Sequence, residues 1–136
     1  MTTQDDESQE YTFSPQLVLL VEDDTEIGNL LVDVFKTETT YQALHVTDAN
    51  RALETVSLLI PDLFLLDYRL PGMNGLELAD RLQADDKLKH IPVVFLSAHL
   101  PKHELEKRSL TLVKKPFDLD ELLQTVEKIL NPQEHK

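Results

Sequence analysis

The sequence predicts a doubly wound α/β domain, a five-stranded parallel sheet with helices on both faces. Three observations lead there. Short continuous apolar runs alternate with segments whose apolar residues recur every three or four positions. The alternation occurs five times, the pattern of strand–helix units in a parallel sheet. Hydrophobic residues make up 41% of the 136 positions, enough to fill one sizeable core. Right-handed crossovers then make the doubly wound arrangement the simplest closure.

Leu17 to Val21 is an unbroken apolar run, as expected of a strand covered on both faces. Ile27, Leu30, Leu31, Val34 and Phe35 follow at helical spacing, with Asp24 or Thr25 as cap. Residues 41 to 46, rich in Tyr, Leu and Val, give a second strand. Ala49, Leu53, Val56 and Leu59 or Ile60 form the next helical stripe, capped by Asp48 and ended by Pro61. Leu63 to Leu66 is a third buried strand that stops at Asp67. Leu70 to Gly75 is loop chemistry, and Leu76, Ala79 and Leu82 start a third helix. Pro92 to Leu96 is a fourth strand, with the proline at its first position, where no ladder donor is needed. A short helix spans Lys102 to Arg108, and Leu110 to Val113 is the fifth strand. Leu119, Leu122, Leu123, Val126, Ile129 and Leu130 complete an amphipathic helix capped by Asp118.

The chain divides into an acidic tail at residues 1–14, expected to be flexible, a folded unit at 15–131 and a frayed end at 132–136. Asp5, Asp6, Glu7 and Glu10 lie in the first of these with no Lys or Arg. The net charge of −12 sets the average field against nucleic acid and anionic membrane. No apolar run approaches a membrane span, and the amino-terminal residues lack the basic and apolar blocks of a signal peptide. There are no cysteines, so disulfides and thiolate metal sites are excluded. A cytoplasmic protein fits these features.

In open parallel sheets, ligands bind outside the carboxyl ends of the strands. The first strand ends in Glu22, Asp23 and Asp24, the third in Asp67, the fourth in Ser97 and the fifth in Lys114, Lys115 and Pro116. Clustered carboxylates repel unless a cation neutralises them, and an all-oxygen set favours Mg²⁺. A carboxylate nucleophile, a metal ion, a lysine and a hydroxyl together suffice for phosphoryl transfer. Each residue also has a plainer explanation. Acids after a strand often cap helices, a lone Asp before a turn is usually a turn residue, and Lys115 alone is a surface charge. Their joint placement on successive strand ends favours the site.

These residues also match a known pattern. Leu19 to Asp24 resembles the first strand and acidic pair of response-regulator receiver domains. Asp67 to Gly75 resembles their phosphoacceptor strand end and loop, Val93 to Ala98 their switch-hydroxyl segment, and Lys115-Pro116-Phe117 their lysine–proline signature, where a cis peptide is usual. The resemblance runs from about Gln16 to Leu130. It implies a receiver-type, flavodoxin-like fold and a phosphorylation-dependent switch. Asp67 would accept a phosphoryl group from a phosphohistidine of a histidine kinase or phosphotransfer protein. Asp23, Asp67 and the backbone carbonyl of Arg69 would hold Mg²⁺, with Glu22 acting through water. Lys115 would pair with Asp67 and then with the phosphoryl group, and Ser97 would hydrogen-bond that group. Asp24 is left to helix capping. Arg69 and His99, each two residues beyond a key side chain, would govern water access to the aspartyl phosphate. The output would be an altered contact with a downstream protein or a second copy of the chain.

Two departures from the family pattern stand out. Leu112 occupies the position, three residues before the lysine, where many receivers carry Tyr or Phe. Lys115 follows Ser97 by only 18 positions, and none of the three glycines lies between them. A shortened or irregular fourth helix is therefore expected. His99 and His103 could share a helix face and bind a metal, although such a pair is more often solvated surface. Three other functions compete: a Mg²⁺-dependent phosphohydrolase, a flavodoxin-like cofactor binder, and a receiver-like module that signals without phosphorylation. Three consecutive acids after the first strand disfavour the cofactor binder, because they repel phosphate. The full set of acids, hydroxyl and lysine disfavours the unphosphorylated module.

Overall fold

In the computed structural model, residues 15–98, 100–108 and 110–132 are described. Five strands alternate with five helices: β1 Leu17–Val21, α1 Thr25–Glu38, β2 Gln42–Val46, α2 Ala49–Val56, β3 Leu63–Asp67, α3 Gly75–Gln83, β4 Val93–Ser97, α4 Lys102–Arg108, β5 Thr111–Lys114 and α5 Leu119–Leu130. All strands pair in parallel, in the order β2-β1-β3-β4-β5. The expected fold is therefore the observed one.

Alternation along the strands sorts the core into two layers. Leu19, Val21, Phe64, Leu66 and Phe95 point to one face, where Ala49 and Ala52 of α2 and Leu76, Leu78, Ala79 and Leu82 of α3 cover them. Val18, Leu20, Leu63, Leu65, Val94 and Leu96 point to the other, under Leu31 and Phe35 of α1 and Leu122 and Val126 of α5. Because β1 and β3 are buried on both sides, their ends are held in place from above and below.

Helix starts follow side-chain caps. Asp24 accepts the backbone N–H groups of Glu26 and Ile27, Asp48 that of Arg51, and Asp118 that of Asp120. At α3, Asn74 accepts from the Glu77 N–H while the Glu77 carboxylate accepts from the Asn74 N–H, both at 2.9 Å. This reciprocal cap was visible in the sequence as Asn-x-x-Glu, but the loop assignment through Gly75 passed over it.

Several boundaries differ from the sequence expectation; β4 lies one residue later than Pro92–Leu96, and β2 begins one residue late, at Gln42. The second helix stops at Val56, short of Leu59 and Ile60. The Ser57 hydroxyl donates to the Glu54 carbonyl at 2.6 Å and its N–H to the same carbonyl at 3.2 Å, which tightens the last turn and ends the helix before Pro61 is reached. Leu58 and Ile60 are consequently exposed. The fifth strand lies one residue later than expected, at Thr111–Lys114. The fourth helix is short as expected, seven residues or about two turns. The expected tails lie outside the described residues, apart from Pro132.

Replacing Asn74 by Ala removes one partner of the reciprocal cap. Urea denaturation should show a loss of about 1 kcal/mol with an unchanged dependence on denaturant.

Candidate functional site

The parallel register carries four strand ends to one rim. Val21 pairs with Leu66, Asp67 with Leu96 and Ser97 with Lys114, so Glu22, Asp67, Ser97 and Lys115 emerge side by side. Glu22, Asp67 and Ser97 are buried polar residues in an otherwise apolar interior. Such groups are costly to bury unless hydrogen bonds satisfy them.

For the two carboxylates those bonds are explicit. Lys115 Nζ donates to Glu22 Oε1 at 2.9 Å and to Asp67 Oδ2 at 3.2 Å. The second oxygen of Glu22 accepts the Asp24 N–H at 3.0 Å, and Asp67 Oδ1 accepts the Arg69 N–H at 3.2 Å. Each carboxylate thus receives one ammonium bond and one bond from the backbone two residues on. Lys115 is itself tied back, its N–H donating to the Ser97 carbonyl at 3.0 Å, and the peptide after it, Lys115–Pro116, is cis. The lysine–Asp67 pairing appears as expected. The shorter bond to Glu22 was not anticipated, since nothing in sequence spacing shows that one lysine reaches two strand ends.

Burial shapes the charges. Burial is the largest influence on Glu22 and pushes its carboxyl up, to about 7. The Asp24 N–H and Lys115 pull it back, while the neighbouring Asp67 adds to the rise. Burial works to lower the Lys115 ammonium, but hydrogen bonding and charge from Glu22, then Asp67, outweigh it and hold the pKa above the usual lysine value.

Asp23 is exposed beside this pair, and one carboxylate oxygen each from Glu22, Asp23 and Asp67 lies within 4.8 Å of the others. Three hard oxygen donors without sulfur or imidazole suit a small divalent cation such as Mg²⁺. Gly75 closes the floor. A side chain there would press on the Asp67 carbonyl, and its N–H donates to the Tyr68 carbonyl at 2.8 Å.

The remaining expected residues fall as follows. Arg69 has an exposed side chain at the rim, while its N–H lies inside it on Asp67. Asp24 is the cap of α1, as expected. Leu112 is half-buried on the Phe64 and Phe95 face. His99 lies outside the described residues, so its pairing with His103 has no structural description. His103 is exposed, with Nε2 3.4 Å from the Glu104 carboxylate. One residue was missed entirely: His45 of β2, whose Nε2 lies 2.7 Å from the Glu22 carbonyl oxygen. Its position within a run of ordinary strand residues gave no signal.

Residues 18–127 match the response regulator receiver domain, and the chain belongs to that family. Its members are phosphorylation-dependent signalling switches that work with histidine kinases and phosphotransfer proteins, and are not enzymes in the ordinary sense. Among relatives, Sporulation initiation phosphotransferase F of Bacillus subtilis is 36% identical over 117 residues, covering 83% of this chain and 92% of that protein. The DNA-binding response regulator MtrA of Mycolicibacterium smegmatis is also 36% identical, over 82% of this chain, but the match spans only 49% of MtrA. A receiver domain of a signal transduction histidine kinase from Syntrophus aciditrophicus superimposes with a TM-score of 0.77 at 26% identity, covering 89% of this chain and 94% of that one. The receiver domain of sensor histidine kinase PA1611 from Pseudomonas aeruginosa, described with magnesium in its active-site cleft, has the same fold (TM-score 0.76, 22% identity, 86% and 98% coverage).

The raised pKa of Glu22 has a signed consequence. Between about 4.5 and about 7 the folded protein holds a proton that the unfolded chain has released. Its contribution to stability is therefore full at the acid end and is lost as pH rises through about 7. Glu22→Gln cannot titrate. In metal-free buffer, denaturation should show the variant gaining on the wild type between pH 5 and 8, by up to about 3 kcal/mol.

Proposed function

We propose that Asp67 is the phosphoacceptor of this receiver, taking its phosphoryl group from a phosphohistidine of a histidine kinase or phosphotransfer protein. The observation that carries this reading is the Lys115 bridge. One ammonium pairs at 3.2 Å with Asp67 at the end of a fully buried strand, leaving a positioned carboxylate beside two further acids. An Asp67 oxygen attacks phosphorus, the new P–O bond forms as the P–N bond to histidine breaks, and the electron pair returns to the imidazole.

The carboxylates of Glu22, Asp23 and Asp67 suit Mg²⁺, which Asp23, Asp67 and the Arg69 backbone carbonyl would hold, with Glu22 acting through water. The ion would offset the negative charge of the transferring group. Lys115 exchanges its Asp67 contact for a phosphoryl oxygen, and Ser97 hydrogen-bonds another. Glu22 keeps the ammonium in place throughout, a role beyond the water-mediated one expected from the sequence. The chain catalyses only its own phosphorylation and dephosphorylation, and Arg69 and His99 set the pace of the second by limiting water.

The folded unit of residues 15–131 acts in the cytoplasm. The charge of −12 favours a protein with a basic face as downstream target over nucleic acid, and pairing with a second copy is a further route for output. Among the described residues, no helix is long and apolar enough to cross a membrane.

Incubation with acetyl phosphate and Mg²⁺ should add one phosphoryl group by mass spectrometry, and Asp67→Ala should add none. No adduct on the wild type, together with no binding of beryllofluoride, would refute the assignment. Arg69→Ala should shorten the half-life of the phosphorylated form, read by loss of that adduct with time; an unchanged half-life removes Arg69 from this role.

A further inference from the structure

The backbone ladder between β1 and β2 ends at the acid pocket. Val21 and Val46 are its last paired residues, and the Glu22 N–H donates the final bond, to the Val46 carbonyl at 3.0 Å. At the other end of the same residue, the Glu22 carbonyl leaves the ladder just where the chain turns toward α1. His45 Nε2 meets that carbonyl at 2.7 Å. A carbonyl oxygen only accepts, so Nε2 carries the proton.

The ring lies against Gly28 in the first turns of α1. A Cβ at residue 28 would overlap the imidazole ring of His45, so a side chain there and the ring in this place exclude each other. Glycine is a poor helix former, and at this buried helical position it is the residue that leaves room for the ring. Histidine and glycine therefore form a matched pair from two different elements.

The bonded carbonyl belongs to the peptide that joins Glu22 to Asp23. That peptide is planar, so fixing its oxygen also fixes the direction in which Asp23 leaves β1. We infer that His45, seated on Gly28, is a positioning residue that aims the Glu22–Asp23 pair at a divalent cation. The inference rests on the proposed Mg²⁺ site. Its chemistry is that of outer hydrogen bonds that orient metal ligands, whose loss costs about tenfold or more in metal affinity.

Mg²⁺ titrations of the full chain by calorimetry, with melting curves alongside, test this. His45→Ala should weaken Mg²⁺ binding about tenfold. His45→Gln, which restores an N–H donor of similar reach, should recover most of the loss. Gly28→Ala should weaken binding through displacement of the ring, yet cause no further loss when added to His45→Ala. A folded His45→Ala protein with wild-type Mg²⁺ affinity overturns the inference and leaves the proposed function standing. A wild type that binds neither Mg²⁺ nor a phosphoryl group defeats both. Should His45→Ala not fold, nitrogen NMR of the wild type decides. A ring protonated at Nε2, whose proton shifts as Mg²⁺ is added, supports the assignment. A neutral ring protonated at Nδ1 alone overturns it.

Discussion

One ammonium group between two buried carboxylates holds the site together. Glu22 and Asp67 stand at the ends of adjacent strands, where like charges in a poorly solvated setting would repel. Lys115 reaches both from β5, across the end of β4. A buried pair of this kind is weak evidence for stability, because desolvation offsets much of the attraction. Its value is positional. The lysine fixes one arrangement of the rim, with Glu22 holding the ammonium at 2.9 Å and Asp67 at 3.2 Å.

The sheet makes that arrangement possible. β1 and β3 are apolar on both faces because helices cover both sides. A strand gripped in this way cannot slip by one residue without exchanging its two apolar faces. Glu22 and Asp67 therefore leave the core at fixed heights, and Gly75 lets the following loop press close under Asp67. The polar chemistry at the rim inherits its precision from apolar packing below it.

Much of this was legible in the sequence. Apolar runs announced β1, β3 and β4, and the acids, hydroxyl and lysine that follow them identified the rim. What escaped was whatever depends on contact between distant segments. The Lys115–Glu22 bond joins residues 93 positions apart, and the His45–Glu22 bond spans 23. Neither has a local signature. The overrun at α2 has a different origin: Leu59 and Ile60 continue the apolar period, but the Ser57 hydroxyl competes for a helix carbonyl and ends the helix first. Periodicity reports which residues are apolar and is silent about hydrogen-bond competition.

Among the described residues, β5 has a single strand neighbour. It pairs with β4 alone, from Val94–Thr111 to Ser97–Lys114, and its final tie is the Lys115 N–H on the Ser97 carbonyl. A central strand can shift only by disturbing two ladders at once, whereas an edge strand disturbs one. Ser97 and Lys115 are thus joined at one of the two edges of the sheet, with half-buried Leu112 on the same strand. A displacement of Ser97 toward β5 therefore has one backbone ladder to disturb on the far strand, where a displacement toward β3 has two.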